Sequence, residues 1–502
     1  MSEKKIVLLF GSCPLPVERA GISIGTGGRT WQFARPLIDE GFRVLLFSQR
    51  EDNSDEQLHE REGAVISQPL DNLTIYRFSE KSFHNAKIIS DALKDFDLSE
   101  VCAVVGAGSL LPNVMGKRFI ELSDKSLPLW ADFYGDYICE IQSKIEGERT
   151  PEKDNELFHV WRLTTEVLLK ADKFSTVSKP QLYGLLGQLS IAGRMNPRTN
   201  NYDFATVIPC GIDEIIIKNQ NEKIQELKKN PTAIREKHNI PNDAFVIYWS
   251  GSFNTWIDVK TLFYGIEKAM EREAKIHLLV SGGGIKRYFE SFYNNFINMV
   301  NQSKQKHRFH LKGWLPEIEI PELLSIADLG INVDRKTYEG IFGSRNRILH
   351  FSTAGIPVLT TILTDLTKEL IENNLIFDFE LENPESLAEK AIYLSNHREK
   401  LIENSLKAKG YILDKFNLNR TMIPLLKWIS NPQKAPDNLS IIKSRADKIA
   451  SLNPVASYID YNNVQKLITE LEEKLKKDNT LKFKIIKKNL EKVKNMFFKT
   501  DK

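Results

Sequence analysis

The feature that most constrains this chain is a rhythm. Short strand-like runs, several of them continuously apolar, alternate with amphipathic stretches in two series separated by a polar interval. A strand with one face in water alternates apolar and polar residues, whereas a parallel strand covered on both faces is apolar throughout. The first series reads "KIVLLFG", "RVLLFS", "TIYRF", "VCAVVGAG", "LPLWADF", "FSTVS" and "ATVIPCG"; the second reads "FVIYWSG", "KIHLLVSGGG", "FHLKGWL", "LGINVD", "PVLTT" and "LIFDF". Stretches such as "TWQFARPLIDEG" and "NELFHVWRLTTEVLLKA" lie between them with helical spacing. The pattern predicts an α/β chain of two Rossmann-like, doubly wound domains. Residues 1–212 form the first, 213–243 a charged connection with Pro231 and Pro241, and 244–405 the second. From 431 to 502 the chain reads as a linker, "NPQKAPDN", and a basic helical tail.

A length of 502 residues exceeds one core and agrees with two domains. A net charge of +3 gives no global field for nucleic acid. Cys13, Cys102, Cys139 and Cys210 are far apart and form no C-x-x-C pair, which argues against zinc or a disulfide framework and for a reducing compartment. "MSEKKIVLLFGSCP" has too short an apolar run for a secretory signal or a membrane span, so it reads as a first buried strand of a cytosolic chain. "DFD" at 95–97 sits before a strand, the wrong context for a metal-binding D-x-D, and no metal is expected.

In doubly wound folds, ligands bind beyond the carboxyl ends of strands, where helix N-termini point. Three places fit. In "GSCPLPVERAGISIGTGGRTWQ", Gly27 and Gly28 open a helix and permit close approach of a ligand; the segment is neither G-x-G-x-x-G nor a P-loop. In "YWSGSFNTWIDVKTLF", Gly251, Asn254 and Trp256 follow a strand and Asp258 is placed to cap the next helix. In "GIFGSRNRILHFSTAGIPVLTT", Ser344 is the expected N-cap, putting Arg345, Asn346 and Arg347 in the first turn. Cations there oppose the helix dipole, so a bound diphosphate is one explanation. The other is that one or both pair with an acidic neighbour such as Glu339, or reach solvent. Glu339 is the carboxylate nearest this turn and is a catalytic candidate beside the bound ligand. Asp132, at the end of "LPLWADF", is either a general base for an acceptor hydroxyl or the cap of a turn; Asp136 is a weaker candidate.

The ordered set "GTGGRTWQFARPLIDEGFRVLL", "FSTVSK" with "VIPCGIDE", "IYWSGSF", "HLLVSGGG", "LKGWLPEIEIPELLSIADLGINV" and "AGIPVLTT" resembles the GT-B-fold glycosyltransferases, particularly the large family-four group, over roughly residues 4 to 430. The resemblance implies a nucleotide-diphosphate-sugar donor held mainly by the second half, an acceptor held mainly by the first, and no metal or other cofactor. It implies that helices within 406–430 cross back to the first domain. It places Gly313 and Trp314 of "KGWLP" against the donor base, and His350 where the family's carboxylate contacts the ribose. The family's paired glutamates fall here on Phe342 and His350, and its Arg and Lys after the first strand of the second half are replaced in the loop of Ser252, Asn254 and Trp256. The chain is therefore more similar to a divergent branch met in surface-polysaccharide gene sets, with positive charge moved onto Arg345 and Arg347, and its stereochemical course is left open. The implied function is transfer of a sugar to a hydroxyl of a glycan, lipid-linked or protein-linked acceptor. The alternative is a non-catalytic GT-B subunit that binds a glycan or stabilises a partner transferase.

Residues 480–502 hold eight lysines against Glu491 and Asp501, with Phe483, Ile486, Leu490, Val493 and Phe497 on one stripe. Such a helix suits the anionic inner face of a membrane, making the chain peripheral there; packing on protein is the other reading. Full-length protein is expected to float with anionic liposomes and a version ending at Asn463 to stay behind. Equal flotation of the two would count against an anchor.

Overall fold

A computed structural model of the chain describes residues 5–18, 25–49, 63–94, 96–123, 126–145, 147–284 and 290–437. Asp95 of "DFD" and the tail, with its charged stretch 464–479 and basic stretch 480–502, lie outside the described residues.

The first domain is built on an eight-stranded sheet. Its strands are β1 (Ile6–Ser12), β2 (Arg43–Gln49), β3 (Val65–Leu70), β4 (Leu73–Phe78), β5 (Val101–Gly106), β6 (Leu129–Phe133), β7 (Lys173–Thr176) and β8 (Ala205–Val207), in the order β3-β4-β2-β1-β5-β6-β7-β8. Every pairing is parallel except β3 with β4. The reason for the unbroken apolar runs is visible on β1. Ile6, Leu8 and Phe10 enter one core cluster while Val7 and Leu9 enter another on the opposite face. β3 falls outside the apolar series because it is a half-covered edge: Ile66 is exposed, and Gln68 and Pro69 follow it.

The second domain holds β9 (Phe245–Ser250), β10 (Ile276–Ser281), β11 (Phe309–Leu311), β12 (Leu329–Asn332), β13 (Val358–Thr361) and β14 (Phe377–Phe379). They form an all-parallel sheet in the order β11-β10-β9-β12-β13-β14. Here Val246 and Tyr248 face one cluster, and Phe245, Ile247 and Trp249 the other.

The polar interval is helical rather than extended. Asp213 caps helix Glu214–Leu227, and Asn230 caps helix Pro231–Lys237. Ile217, Ile224 and Ile234 seat both helices on the second domain's core, and the charged residues are their outer faces. At the far end, Ile212 N donates to Phe416 O (2.8 Å) and Leu418 N to Ile212 O (3.2 Å), so the two chain crossings lie side by side. Helix Ile423–Ile429 then packs on the first domain: Met422, Leu425 and Ile429 are buried with Val7, Leu9 and Trp130. Beyond it, Ala435 N donates to Asp172 Oδ1 (2.9 Å), and Asp437 is ion-paired with the buried guanidinium of Arg194. Asp172 immediately precedes β7 and also accepts from Leu129 N at the start of β6. This last segment therefore runs along the entry edge of the first sheet. Among the described residues no helix is long and apolar enough to cross a membrane.

Leu425→Ala removes a fully buried side chain from the crossing helix. It is expected to lower unfolding free energy by about 2–5 kcal/mol, measured by chemical denaturation of the whole chain.

Candidate active site at the domain seam

The exit edges of the two sheets meet. Tyr134, just after β6, accepts a hydrogen bond from Asn346 Nδ2 (2.6 Å), and Ser178 Oγ, after β7, donates to Phe342 O (2.5 Å). Lys179 N donates to Asp365 Oδ2 (3.0 Å). The seam is thus stitched by side chains that follow strands, the region in which ligands bind in such folds.

On the second domain's wall, Thr337 caps a short helix, Tyr338–Phe342, and Gly343–Ser344–Arg345 breaks it before helix Asn346–Thr353. Ser344 is therefore not the N-cap. Arg345 occupies that position, outside the helical region (φ −124°, ψ 84°) and with no side-chain cap, because its guanidinium is engaged elsewhere. Arg345 Nε meets Asp334 Oδ1 at 2.6 Å, and its remaining nitrogens donate to Ser344 O (3.1 Å) and Gly340 O (3.2 Å). Its side chain is 3% exposed and that of Asp334 0%. The expected diphosphate contact of Arg345 is thereby corrected: it is a buried, neutralised structural cation, paired with Asp334 and not with Glu339. Trp256 packs on it, 5.5 Å from ring centre to Arg345 Cζ.

Arg347 is different. Its donors go only to neutral oxygens: Ser250 O (2.5 Å), Asn332 Oδ1 (3.1 Å) and Ser252 O (3.2 Å). The guanidinium lies 3.5 Å over the buried ring of Trp249. Burial and the neighbouring Arg345 press its pKa down to about 9, against the pull of Asp334, so at neutral pH it holds a poorly compensated positive charge. Gly251 (φ +99°) and Gly282 (φ +93°) both take the left-handed backbone region beside it, and a Cβ on Gly282 would strike the Gly251 carbonyl. Gly313, two residues after β11, is in the same left-handed region, and Gly282 N donates to its carbonyl (2.7 Å). Trp314 Nε1 donates to Gly284 O (3.0 Å). Asn254 is buried with its Oδ1 lacking a partner, and Asp258 caps helix Val259–Arg272. His350 lies one turn beyond Arg347 and is exposed; its surroundings and Arg347 keep the imidazole pKa low, so the ring is neutral.

On the first domain's wall, helix Gly25–Asp39 opens toward the seam. Gly27 packs so tightly on Pro14 O that a Cβ would collide, while Gly28 has open space beside it. Asp132 is not a free base. It is 0% exposed, held bidentately by Arg29 (2.9 and 2.7 Å), and accepts from Ser175 Oγ (2.7 Å). Its expected general-base role is corrected to positioning: with Arg29 donating also to Ile208 O and Pro209 O, it anchors the glycine turn to β6 and to the segment after β8. Asp136 caps helix Tyr137–Lys144.

Glu339 sits on the short helix that packs across the seam on helices Tyr137–Lys144 and Lys179–Ile191. It is buried, and its Oε2 has no hydrogen-bond partner. Burial lifts its pKa to about 8, with Glu140 and Asp334 adding to the shift and Arg345 opposing it. Glu140, from the first domain, is raised too, chiefly by burial. Sequence reading missed Glu140, Asp334, Tyr134 and Trp249. Glu140 was signalled only as the third acid of "WADFYGDYICE". Among the described residues no group of three or more side chains is placed to hold a metal.

The sequence matches no family model and none of the curated proteins. Solved structures do match. Sucrose-phosphate synthase from Thermosynechococcus elongatus superposes with a TM-score of 0.60 at 13% identity, covering 85% of this chain and 98% of that one. A glycosyltransferase from Rickettsia africae gives 0.57 at 17% identity, covering 86% and 100%. Anabaena HepE, in complex with UDP and glucose, gives 0.57 at 13% identity, covering 85% and 99%. The chain has the GT-B fold of these enzymes.

Native Glu339 binds a proton that the unfolded chain has released between about pH 4.5 and 8, so it weakens the fold progressively as pH rises through that window. Glu339→Gln is expected to raise the melting temperature, with a larger gain at pH 8 than at pH 5. A gain independent of pH would contradict the burial assigned to this carboxyl.

Proposed function

We propose that this chain is a glycosyltransferase that moves a sugar from a nucleotide-diphosphate donor to a hydroxyl of a glycan, lipid-linked or protein-linked acceptor. The observation that carries the reading is Arg347: a desolvated guanidinium at the first turn of helix Asn346–Thr353, with no carboxylate among its hydrogen-bond partners. A leaving diphosphate is a twice-charged ligand that such a cation and the free N–H groups of a helix start would stabilise as negative charge develops. The GT-B fold, and a neighbour solved with UDP and glucose, support the same donor class.

In this reading Gly251, Asn254 and the Ser344 turn line the diphosphate with Arg347, and Gly28 approaches it from the first domain. His350 meets the ribose, and Gly313 and Trp314 stand at the base. Trp256 and Arg345 act through the shape of the wall. Charge neutralisation is assigned to protein groups, so the donor is a substrate and no resident cofactor enters. Membership of a family-four-like branch, polysaccharide synthesis as the setting, and a cytosolic position at the inner membrane face belong to the same proposal.

Arg347→Ala is expected to weaken UDP binding by about 10- to 100-fold, the worth of a charge-assisted contact, with the fold intact by circular dichroism. Calorimetry with UDP, GDP, ADP and dTDP tests it. Binding of none of them to the folded protein would favour the non-catalytic subunit, a reading that the Phe342 and His350 replacements suit.

A further inference from the structure

Three acids lie at or beyond the end of β6 on the seam side of the first domain, and two are spoken for. Asp132 is consumed by Arg29 and Ser175. Asp136 accepts from Ile138 N (3.1 Å), Cys139 N (2.9 Å) and Gln188 Nε2 (2.7 Å). Glu140, in the first turn of helix Tyr137–Lys144, is half-buried and enters no such bond; the helix's lysine, Lys144, pairs with Glu156 instead. The helix lies against Tyr338–Phe342 of the other domain, and Glu140 is close enough to Glu339 to disfavour its ionisation.

The charged groups around Glu140 are Asp136 and Lys144 on its own element, with Cys139 as a further titratable neighbour. Glu156 comes from helix Pro151–Lys170, and Glu339, with Arg345, Asp334 and Arg335 near it, comes from the facing wall. Lys144, the cation that acts on it, is already engaged with Glu156, and burial lifts the pKa of Glu339 to about 8. Among the described residues, Glu140 is therefore a first-domain carboxyl at the seam that no hydrogen bond or ion pair consumes.

We propose that Glu140 takes the proton of the acceptor hydroxyl as that oxygen attacks the donor sugar, an inference that rests on the donor reading above. The hydroxyl oxygen forms a bond to the anomeric carbon. The bond from that carbon to the terminal diphosphate oxygen breaks, and its electron pair leaves with the nucleoside diphosphate at Arg347. The hydroxyl proton ends on the Glu140 carboxylate. With water in the acceptor's place the same balance gives slow donor hydrolysis. The wall that holds the acceptor would thus supply the base, and the wall that holds the donor the cation, each where its charge is needed.

The test uses the full chain with UDP-glucose, GDP-mannose and ADP-glucose, reading release of the nucleoside diphosphate, together with UDP, GDP and ADP affinity by calorimetry. For the donor that turns over, Glu140→Gln is expected to lower kcat by about 100- to 1,000-fold. Nucleotide affinity should stay within about twofold of the parent. The parent's loss of rate toward acid pH, where Glu140 becomes protonated, should disappear in Glu140→Gln, and Glu140→Asp should recover part of the rate. An unchanged kcat and pH profile in Glu140→Gln overturns Glu140 alone. So does a joint loss of affinity and rate with the acid limb retained, which marks a structural role. No binding and no release with any nucleotide overturns the donor reading, and Glu140 with it.

Discussion

The ion pair between Asp334 and Arg345 sets the geometry of the second domain's wall. Asp334 lies two residues beyond the end of β12, its N–H bonded to Thr361 Oγ1 (2.8 Å), and its other oxygen accepts from Asn332 Nδ2 (3.2 Å). Arg345 enters the next helix and reaches back to it. The pair ties the exit of β12 to the start of helix Asn346–Thr353 and folds the Gly340–Ser344 turn around itself. Removing one partner would strand a buried charge, at a cost of about 3–5 kcal/mol. Because Arg345 is neutralised in place, the uncompensated charge belongs to Arg347, two residues on and turned toward β9. Residues two apart on a helix start do not share a face, and here that separates a structural cation from an available one.

The two walls carry unlike chemistry. The first domain presents an Arg29–Asp132 pair that is internally satisfied, an open glycine turn and the Glu140 carboxyl. The second presents Arg347, neutral His350 and a buried carboxyl, Glu339, that keeps its proton. Tyr134 and Asn346 join them directly. The seam thus has a guanidinium on one side and a half-buried carboxyl on the other.

Much of this architecture was legible in the residues. All six strands of the second sheet coincide with the strand-like runs of the sequence, because coverage on both faces keeps most of their positions apolar. β3 was missed because an edge strand needs no apolar run. The helix near Asn346 and the importance of its arginines were also readable, but their division of labour was not. Asp334 lies eleven residues before Arg345 in a strand-like stretch, whereas Glu339 is nearer in sequence and was the obvious partner. The Arg29–Asp132 pair spans 103 residues and joins two elements that only the sheet order brings together. Local pattern reports burial and periodicity; it does not report which distant acid meets which base.

The clasp between Arg194 and Asp437 bears on everything that follows it in the chain. Its guanidinium also holds Leu168 O and Ala171 O, so the anchor is rooted in the body of the first domain, at the sheet edge away from the seam. Whatever residues beyond Asp437 grip, the pull is delivered to the foot of that half. A tether there would load the first half directly and reach the second only through the crossings at Ile212 and Phe416 and the hydrogen bonds of the seam.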